Sequence, residues 1–122
     1  MAHILVVDDD VLIRVMVTKM LENDGHRVTT ALDGAEGLRL FREDPPDLVL
    51  ADIIMPTLEG LQLIKTMKQI RDDIPIVAVS GGSRHISMVD NLNLAEIAGA
   101  EATLPKPFTK KELNAALIRA VS

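Results

Sequence analysis

The sequence predicts an α/β domain in which a parallel sheet is covered by helices on both faces. Short apolar runs, such as Leu48 to Ala51, read as strands buried on both faces, as in parallel sheets. Segments with helical periodicity separate these runs, and the connections are short. Strand and helix alternate five times, which implies right-handed crossovers. With 122 residues, the chain has the length of one domain.

The first strand is predicted at His3–Val7, where an apolar run is stopped by three aspartates at 8–10. The following segment, Val11–Asn23, places apolar residues at the i, i+3, i+4, i+7 and i+8 spacing of a core-facing helix. This stripe consists of Ile13, Met16, Val17, Met20 and Leu21.

A second strand is predicted at Arg27–Ala31, followed by another helix. Asp33 with Glu36 three residues later has the form of a capping box, with Asp in place of the usual Ser or Thr. On this helix, Leu38 and Phe41 are expected to be buried.

The central strand is predicted to end at Asp52, because burying a carboxylate within an apolar strand is costly. Pro56 prevents the strand from continuing. A third helix is then predicted at Gly60–Gln69, with an apolar stripe of Leu61, Ile64 and Met67.

The last third of the chain completes the pattern. Pro75–Ser80 reads as another buried strand, and a helix is predicted at about Ser87–Ala98. The fifth strand is expected at Glu101–Leu104. A capping box formed by Thr109 and Glu112 then opens a final helix that continues to Val121.

Polar residues follow four of the predicted strands, at the carboxyl edge where open parallel sheets bind ligands. They are Asp8, Asp9, Asp52, Ser80 and Lys106. Three adjacent carboxylates favour a bound cation, and an open site with oxygen ligands suits Mg2+ better than Ca2+. An aspartate is ionised at neutral pH and can attack phosphorus without a base, a role for which Asp52 is well placed. Lys106 and the Ser80 hydroxyl would then assist phosphoryl transfer electrostatically.

Composition narrows the function classes. Thirteen basic and eighteen acidic residues give a net charge of −5, which argues against direct binding of nucleic acid. The absence of cysteine excludes disulfides, thiolate metal sites and cysteine catalysis. His3, His26 and His85 lack metal-ligand spacing and are expected at the surface. No signal peptide or membrane span is apparent, so we expect a cytoplasmic protein without membrane insertion.

Four motifs in order give the chain a family resemblance. Val-Val-Asp-Asp, Asp-Ile-Ile-Met-Pro-Thr-Leu-Glu-Gly, Val-Ser-Gly-Gly and Leu-Pro-Lys-Pro-Phe resemble the CheY-like receiver domain of two-component response regulators. The resemblance covers essentially all 122 residues. It implies a flavodoxin-like (βα)5 doubly wound sheet of order 2-1-3-4-5, for which a receiver protein is a standard example. The chain 1–122 is thus expected to be a single receiver domain without an output domain.

The resemblance also implies roles for individual residues. Asp52 matches the phosphoacceptor, Lys106 the conserved-type lysine and Ser80 the switch hydroxyl. Asp8 and Asp9 match the acidic pair that holds Mg2+ together with Asp52. The backbone carbonyl of Ile54 would be a further metal ligand, and the Lys106–Pro107 bond is expected to be cis.

The sequence departs from the family pattern in two respects, which are Thr103 and a spacing of 26 positions from Ser80 to Lys106 (106 − 80 = 26) that is longer than is typical. Thr103 stands three residues before Lys106, where receivers usually carry the aromatic side chain that couples to the switch hydroxyl. We therefore expect switching to depend on the Gly-rich loop after Ser80 instead. By the same resemblance, Ile54 and Gly82 occupy the two positions that tune hydrolysis of the aspartyl phosphate in the family. Neither residue can hold an attacking water through a side chain, which predicts a long-lived aspartyl phosphate.

Surplus apolar residues predict two partner surfaces. Val11, Leu12 and Val15 lie beside the acidic site, where the resemblance implies docking of a histidine kinase or a histidine phosphotransfer protein. Leu94 and Ile97 suggest an output face for a downstream target that the sequence does not identify. A monomer or a weak, phosphorylation-dependent dimer is expected.

The expected function is therefore a phosphoacceptor that is not a turnover enzyme. Alternatives are a phosphorelay intermediate, or a receiver fragment of a larger DNA-binding regulator. An aspartate-nucleophile phosphatase is disfavoured because Ile54 occupies the place of its acid/base aspartate. A flavin-binding protein is disfavoured because acids stand where an anion nest is needed and Trp and Tyr are absent. A degenerate receiver serving only as a scaffold is disfavoured by the complete site.

Overall fold

Five parallel strands form the sheet in the computed structural model, which describes residues 2–53, 59–80 and 99–122, with residue 59 described in backbone only. Their order is β2-β1-β3-β4-β5, which confirms the predicted doubly wound fold. The strands are β1 (His3–Val7), β2 (Arg27–Ala31), β3 (Leu48–Asp52), β4 (Ile76–Ser80) and β5 (Ala102–Pro105).

Four helices lie within the described ranges: α1 (Val11–Asn23), α2 (Gly34–Glu43), α3 (Glu59–Ile70) and the C-terminal helix (Lys110–Val121). The predicted helix at Ser87–Ala98 lies outside the described residues. No helix in the described ranges combines the length and the apolar character needed to cross a bilayer.

Alternate residues of β1 face two separate cores, one on each side of the sheet. Ile4 and Val6 join the core that includes α1 and the C-terminal helix, whereas Leu5 and Val7 join the core that includes α2 and α3. All four side chains are buried. Burial on both faces is the reason these strands read as continuous apolar runs.

Side-chain caps begin three of the helices. The Asp10 carboxylate accepts a hydrogen bond from the Leu12 N–H and caps α1. The C-terminal helix has the predicted reciprocal box between Thr109 and Glu112. These caps satisfy N–H groups that have no partner within the helix.

The predicted cap of α2 is correct only in part. The Asp33 carboxylate accepts from the Glu36 N–H at 2.8 Å, as expected. The Glu36 carboxylate instead accepts from the Leu32 N–H at 2.9 Å. The return bond therefore ties the helix to the turn that precedes Asp33.

Three burial predictions were wrong or incomplete. Met16 is 36 % exposed, because the buried stripe of α1 is narrower than its apolar pattern. Leu38 is only half-buried, whereas Phe41 is buried. His3 was expected at the surface but is 7 % exposed, because its strand lies inside the sheet and its Nε2 pairs with Thr29 Oγ1 at 2.8 Å.

Candidate functional site

The carboxyl ends of four adjacent strands bring the predicted site residues together. Asp8 follows β1, Asp52 ends β3, Ser80 ends β4 and Lys106 follows β5. Asp8, Asp52 and Ser80 are all buried, with exposed fractions of 2 %, 4 % and 0 %. Buried polar groups at the carboxyl edge of a sheet indicate a functional site, because burying a polar group is costly unless it has a compensating partner.

Three carboxylates form a cluster at this edge. One oxygen from each of Asp8, Asp9 and Asp52 lies within 4.8 Å of the other two. Asp8 and Asp52 are buried, whereas Asp9 is exposed. Like charges at this separation repel each other, and a cation relieves that repulsion. The donor set consists of hard oxygen atoms, which fits Mg2+.

Lys106 is the cation that contacts both buried carboxylates. Its Nζ lies 2.8 Å from Asp8 Oδ2 and 3.2 Å from Asp52 Oδ2. Burial by itself would lower the pKa of Lys106, but the hydrogen bond to Asp8 and the charges of Asp52 and Asp8 outweigh it and raise the pKa above its usual value. One ammonium cannot neutralise three carboxylates, so, counted over the residues that the structure describes, the cluster keeps a negative charge that favours a divalent cation.

Every polar group of Asp8 has a hydrogen-bonding partner. Its N–H donates to the Ala31 carbonyl at 3.1 Å, which continues the pairing of β1 with β2. Its Oδ1 accepts from the Asp10 N–H at 2.9 Å, and its Oδ2 accepts from Lys106. Its carbonyl oxygen accepts from Arg14 Nη1 at 2.6 Å. The Arg14 contact was not predicted, since nothing in the sequence pattern links an arginine on α1 to this carbonyl.

Asp52 is fixed by the backbone around it. It is the last residue of β3 and pairs in register with Val79 of β4. The Ile53 N–H extends the pairing by donating to the Val79 carbonyl at 2.9 Å. Gly60, at the start of α3, lies so close that an added Cβ would be 2.4 Å from the Asp52 carbonyl oxygen. This close approach was also missed at the sequence level.

Ser80 and Lys106 are linked through the backbone as well as through the site. The Lys106 N–H donates to the Ser80 carbonyl at 2.7 Å. The Lys106–Pro107 bond is cis, as the resemblance implied. Thr103 lies on β5 opposite Ala78 and is half-buried. It is therefore on the strand next to the one that carries Ser80.

An apolar surface on α1 lies beside the carboxylates. Val11 is 57 % exposed, Leu12 is 74 % exposed and Val15 is 49 % exposed. The helix begins directly after the 8–10 acidic segment, so this surface borders the site. The remaining predicted site residues, Ile54, Leu94 and Ile97, lie outside the described residues, as does Gly82.

A comparison with protein families matches the response regulator receiver domain over residues 4–118. Among curated proteins, the chain is 39 % identical over 113 residues to response regulator MprA of Mycolicibacterium vanbaalenii, covering 93 % of this chain and 47 % of that protein. MprA of Mycobacterium sp. strain KMS is 38 % identical over 123 residues, with 98 % and 52 % covered. The chain therefore spans about half the length of these relatives.

Solved structures show the same similarity. The response regulator receiver domain protein from Clostridium thermocellum matches with a TM-score of 0.88 and 35 % identity, covering 99 % of this chain and 94 % of that one. The receiver domain of NtrX from Brucella abortus matches with a TM-score of 0.87 and 33 % identity, covering 97 % of each chain.

Proposed function

The chain belongs to the response regulator receiver domain family, and on that premise we propose that Asp52 accepts a phosphoryl group from a phosphohistidine. One observation carries this proposal. The buried Asp52 carboxylate lies among Asp8, Asp9 and Lys106, at the carboxyl edge of the sheet. This arrangement combines a nucleophile with the charges that phosphoryl transfer needs.

In the proposed reaction, an oxygen of Asp52 forms a bond to phosphorus while the phosphorus–nitrogen bond of the phosphohistidine breaks. The imidazole nitrogen keeps the electron pair. Lys106 stabilises the negative charge on the phosphoryl oxygens, since its Nζ is already 3.2 Å from Asp52 Oδ2. Later attack by water on phosphorus would release inorganic phosphate and regenerate the carboxylate.

Asp8, Asp9 and Asp52 would hold Mg2+ through their carboxylates, together with the Ile54 backbone carbonyl. When bound, the ion would neutralise charge on the transferred group. The separation of at most 4.8 Å among the three carboxylate oxygens supports this ligand set.

Ser80 and Thr103 are proposed as the switch positions. Ser80 is fully buried at the end of β4, and its carbonyl oxygen accepts a hydrogen bond from the Lys106 N–H. The oxygens of a phosphoryl group on Asp52 would be negatively charged acceptors for a hydrogen bond from the Ser80 hydroxyl. Because Thr103 is not aromatic, the switch would lack an aromatic side chain that changes its position.

The proposed phosphodonor is a histidine kinase or a histidine phosphotransfer protein that docks on Val11, Leu12 and Val15. We propose the cytoplasm as the compartment, because donors of this kind obtain their phosphoryl group from ATP. An output face near Leu94 and Ile97, a single receiver domain over 1–122 and a monomer or weak dimer remain parts of the proposal. So does the absence of turnover catalysis, of direct contact with nucleic acid and of membrane insertion.

A role as the receiver portion of a longer regulator is the second candidate. It is favoured by one observation, which is that the MprA relatives are about twice as long as the chain, with 47 % and 52 % of their lengths covered. A phosphorelay intermediate would use the same site.

Intact-protein mass spectrometry tests the proposal after incubation with acetyl phosphate and Mg2+. Wild type should gain one phosphoryl group, and Asp52→Asn and an EDTA-treated sample should gain none. Asp72→Asn, which removes an exposed aspartate elsewhere, should behave as wild type. An adduct that persists in Asp52→Asn would overturn the assignment, as would the absence of both an adduct and beryllofluoride binding in wild type.

A further inference from the structure

We propose that Arg14 is a positioning residue for the metal site, which it serves by holding the main chain of Asp8. The inference rests on the proposed function, because it concerns the same Mg2+ site. Arg14 does not itself reach the carboxylate cluster through any contact in the described residues. Its role would be to fix the peptide that joins Asp8 to Asp9.

The geometry of α1 explains how Arg14 reaches that peptide. Its N–H donates to the Asp10 carbonyl at 3.1 Å, which places Arg14 at the end of the first helical turn. Helical side chains lean toward the N-terminus of their helix. The guanidinium therefore extends back along the helix, and its Nη1 donates to the Asp8 carbonyl at 2.6 Å.

The Asp8 carbonyl is a position where support is needed. The parallel pairing of β1 with β2 has its last register pair at Val7 and Ala31. The Asp8 N–H still donates to β2, but the Asp8 carbonyl turns toward α1 and accepts from Arg14. A charged donor makes this hydrogen bond stronger than a neutral one would be.

The same peptide links two of the three acids of the cluster, Asp8 and Asp9. Rotation about it would move the Asp8 and Asp9 carboxylates relative to Asp52, and metal ions bind weakly to misplaced ligands. Two contacts of Asp8 use its carboxylate oxygens, with Asp10 and Lys106 as donors. Those oxygens are the atoms that a metal ion would compete for. The Arg14 contact is made to the main chain instead, so a bound ion leaves it in place.

A simpler explanation is that Arg14 only neutralises nearby acids. The two explanations predict opposite signs. A positive charge beside a cation site repels the ion, so removing that charge should tighten Mg2+ binding. Removing a positioning contact should weaken binding. Helix electrostatics do not account for Arg14 either, since a cation near a helix N-terminus is unfavourable.

The test is the dissociation constant for Mg2+ measured by calorimetry, with Mn2+ binding followed by electron paramagnetic resonance as a second probe. Intrinsic fluorescence is unsuitable because the chain has no Trp or Tyr. Arg14→Met should raise the dissociation constant about tenfold, the lower end of the effect of losing outer-shell support. Arg14→Lys keeps the positive charge and can still donate a hydrogen bond. Its dissociation constant should therefore fall between those of wild type and Arg14→Met.

Lys19→Met is the matched control, because Lys19 is an exposed cation on the same helix. It should leave the dissociation constant unchanged or slightly lower. Unfolding in EDTA, followed by circular dichroism, checks that each variant folds. If Arg14→Met does not fold, Arg14→Gln replaces it, since its amide is too short to reach the carbonyl.

Weaker metal binding by folded Arg14→Met, with partial recovery in Arg14→Lys, supports the inference. Equal or tighter binding by Arg14→Met overturns it and leaves the proposed function intact. A wild-type chain that binds neither Mg2+ nor Mn2+ overturns both.

Discussion

Gly60 lies directly against the main chain of Asp52. A Cβ added at Gly60 would be 2.4 Å from the Asp52 carbonyl oxygen and 2.5 Å from the Ile53 Cα. Real Cβ atoms do not approach backbone this closely, and backbone atoms cannot rotate away as a side chain can. The start of α3 therefore packs on the proposed phosphoacceptor with no space for a side chain.

Gly60→Ala should destabilise the protein and disturb the site. Elsewhere in a helix, Gly to Ala is stabilising by about 1 kcal/mol. Here the overlap with backbone should reverse the sign and cost about 3 kcal/mol, the upper end of the range for overpacking. Denaturant unfolding followed by circular dichroism measures the cost, and the rate of Asp52 phosphorylation by acetyl phosphate measures the effect on the site.

Gly25→Ala is the matched control for that substitution. Gly25 has φ of 87°, but an added Cβ would meet nothing within 4 Å. The left-handed conformation should cost about 1 kcal/mol, and the phosphorylation rate of the folded protein should not change. A Gly60→Ala protein as stable as wild type would contradict the packing described for Asp52.

The alternation of strands and helices and the position of the site edge could be predicted because both depend on local patterns, whereas the strand order was implied by the family resemblance. The apolar runs of β1, β3 and β4 end at Asp8, Asp52 and Ser80, and parallel strands all present their carboxyl ends at one edge. The sequence pattern alone therefore predicts Asp8, Asp9 and Asp52 at the same edge. The cap at Thr109 was equally local, since its two partners are three residues apart.

Contacts between distant segments could not be predicted in this way. The approach of Gly60 to Asp52 depends on how α3 packs on β3, and a glycine near a helix start has several explanations. The burial of His3 depends on the position of β1 between β2 and β3 and on the contact with Thr29, which is 26 residues away in the sequence. No pattern in the sequence singles out Arg14, because its contact with the Asp8 carbonyl depends on the turn before α1.

Asp9 and Asp10 are adjacent acids with different expected roles. Asp9 belongs to the carboxylate cluster, whereas Asp10 caps α1 through the Leu12 N–H. Asp9→Asn should therefore weaken Mg2+ binding at least about tenfold. It should also stabilise the metal-free protein slightly, because repulsion from the two buried carboxylates is removed.

Asp10→Asn is the control, because it removes the same charge and keeps a good capping residue. Calorimetric titration with Mg2+ compares the two variants with wild type. Equal loss of affinity in both would indicate that overall charge, and not ligation by Asp9, determines metal binding.

Lys106 should make the free energy of unfolding depend on pH in the alkaline range, measured in a metal-free buffer. Its folded-state pKa is raised above the usual 10.5, because Asp8 and Asp52 favour the charged form more than burial disfavours it. The stabilising contribution is therefore complete below the unfolded-state pKa and is lost as the pH rises through the folded-state pKa. The absence of Tyr and Cys removes two other groups that titrate in that range.

Lys106→Met measures this contribution. Removing the ammonium takes away the cation that contacts both buried carboxylates, which should cost on the order of 3 kcal/mol at neutral pH. The difference in unfolding free energy between wild type and variant, measured in EDTA, should stay constant up to about pH 10 and shrink above it. A difference that is constant across the alkaline range would show that Lys106 acts through packing and not through its charge.

Leu12→Ser should slow phosphorylation by a protein donor and not by a small one. Among Val11, Leu12 and Val15, Leu12 is the most exposed, at 74 %, so its loss leaves the core unchanged. If it contacts a docked phosphohistidine protein, truncation should reduce transfer about tenfold, since a well-packed interface residue contributes more than 1 kcal/mol. The assay compares transfer from an autophosphorylated histidine kinase that phosphorylates wild type with transfer from acetyl phosphate. Ile118→Ser, on the C-terminal helix and 66 % exposed, should leave both rates unchanged. Equal slowing with both donors would instead mean that Leu12 supports the reaction site itself, because acetyl phosphate is too small to contact the α1 surface.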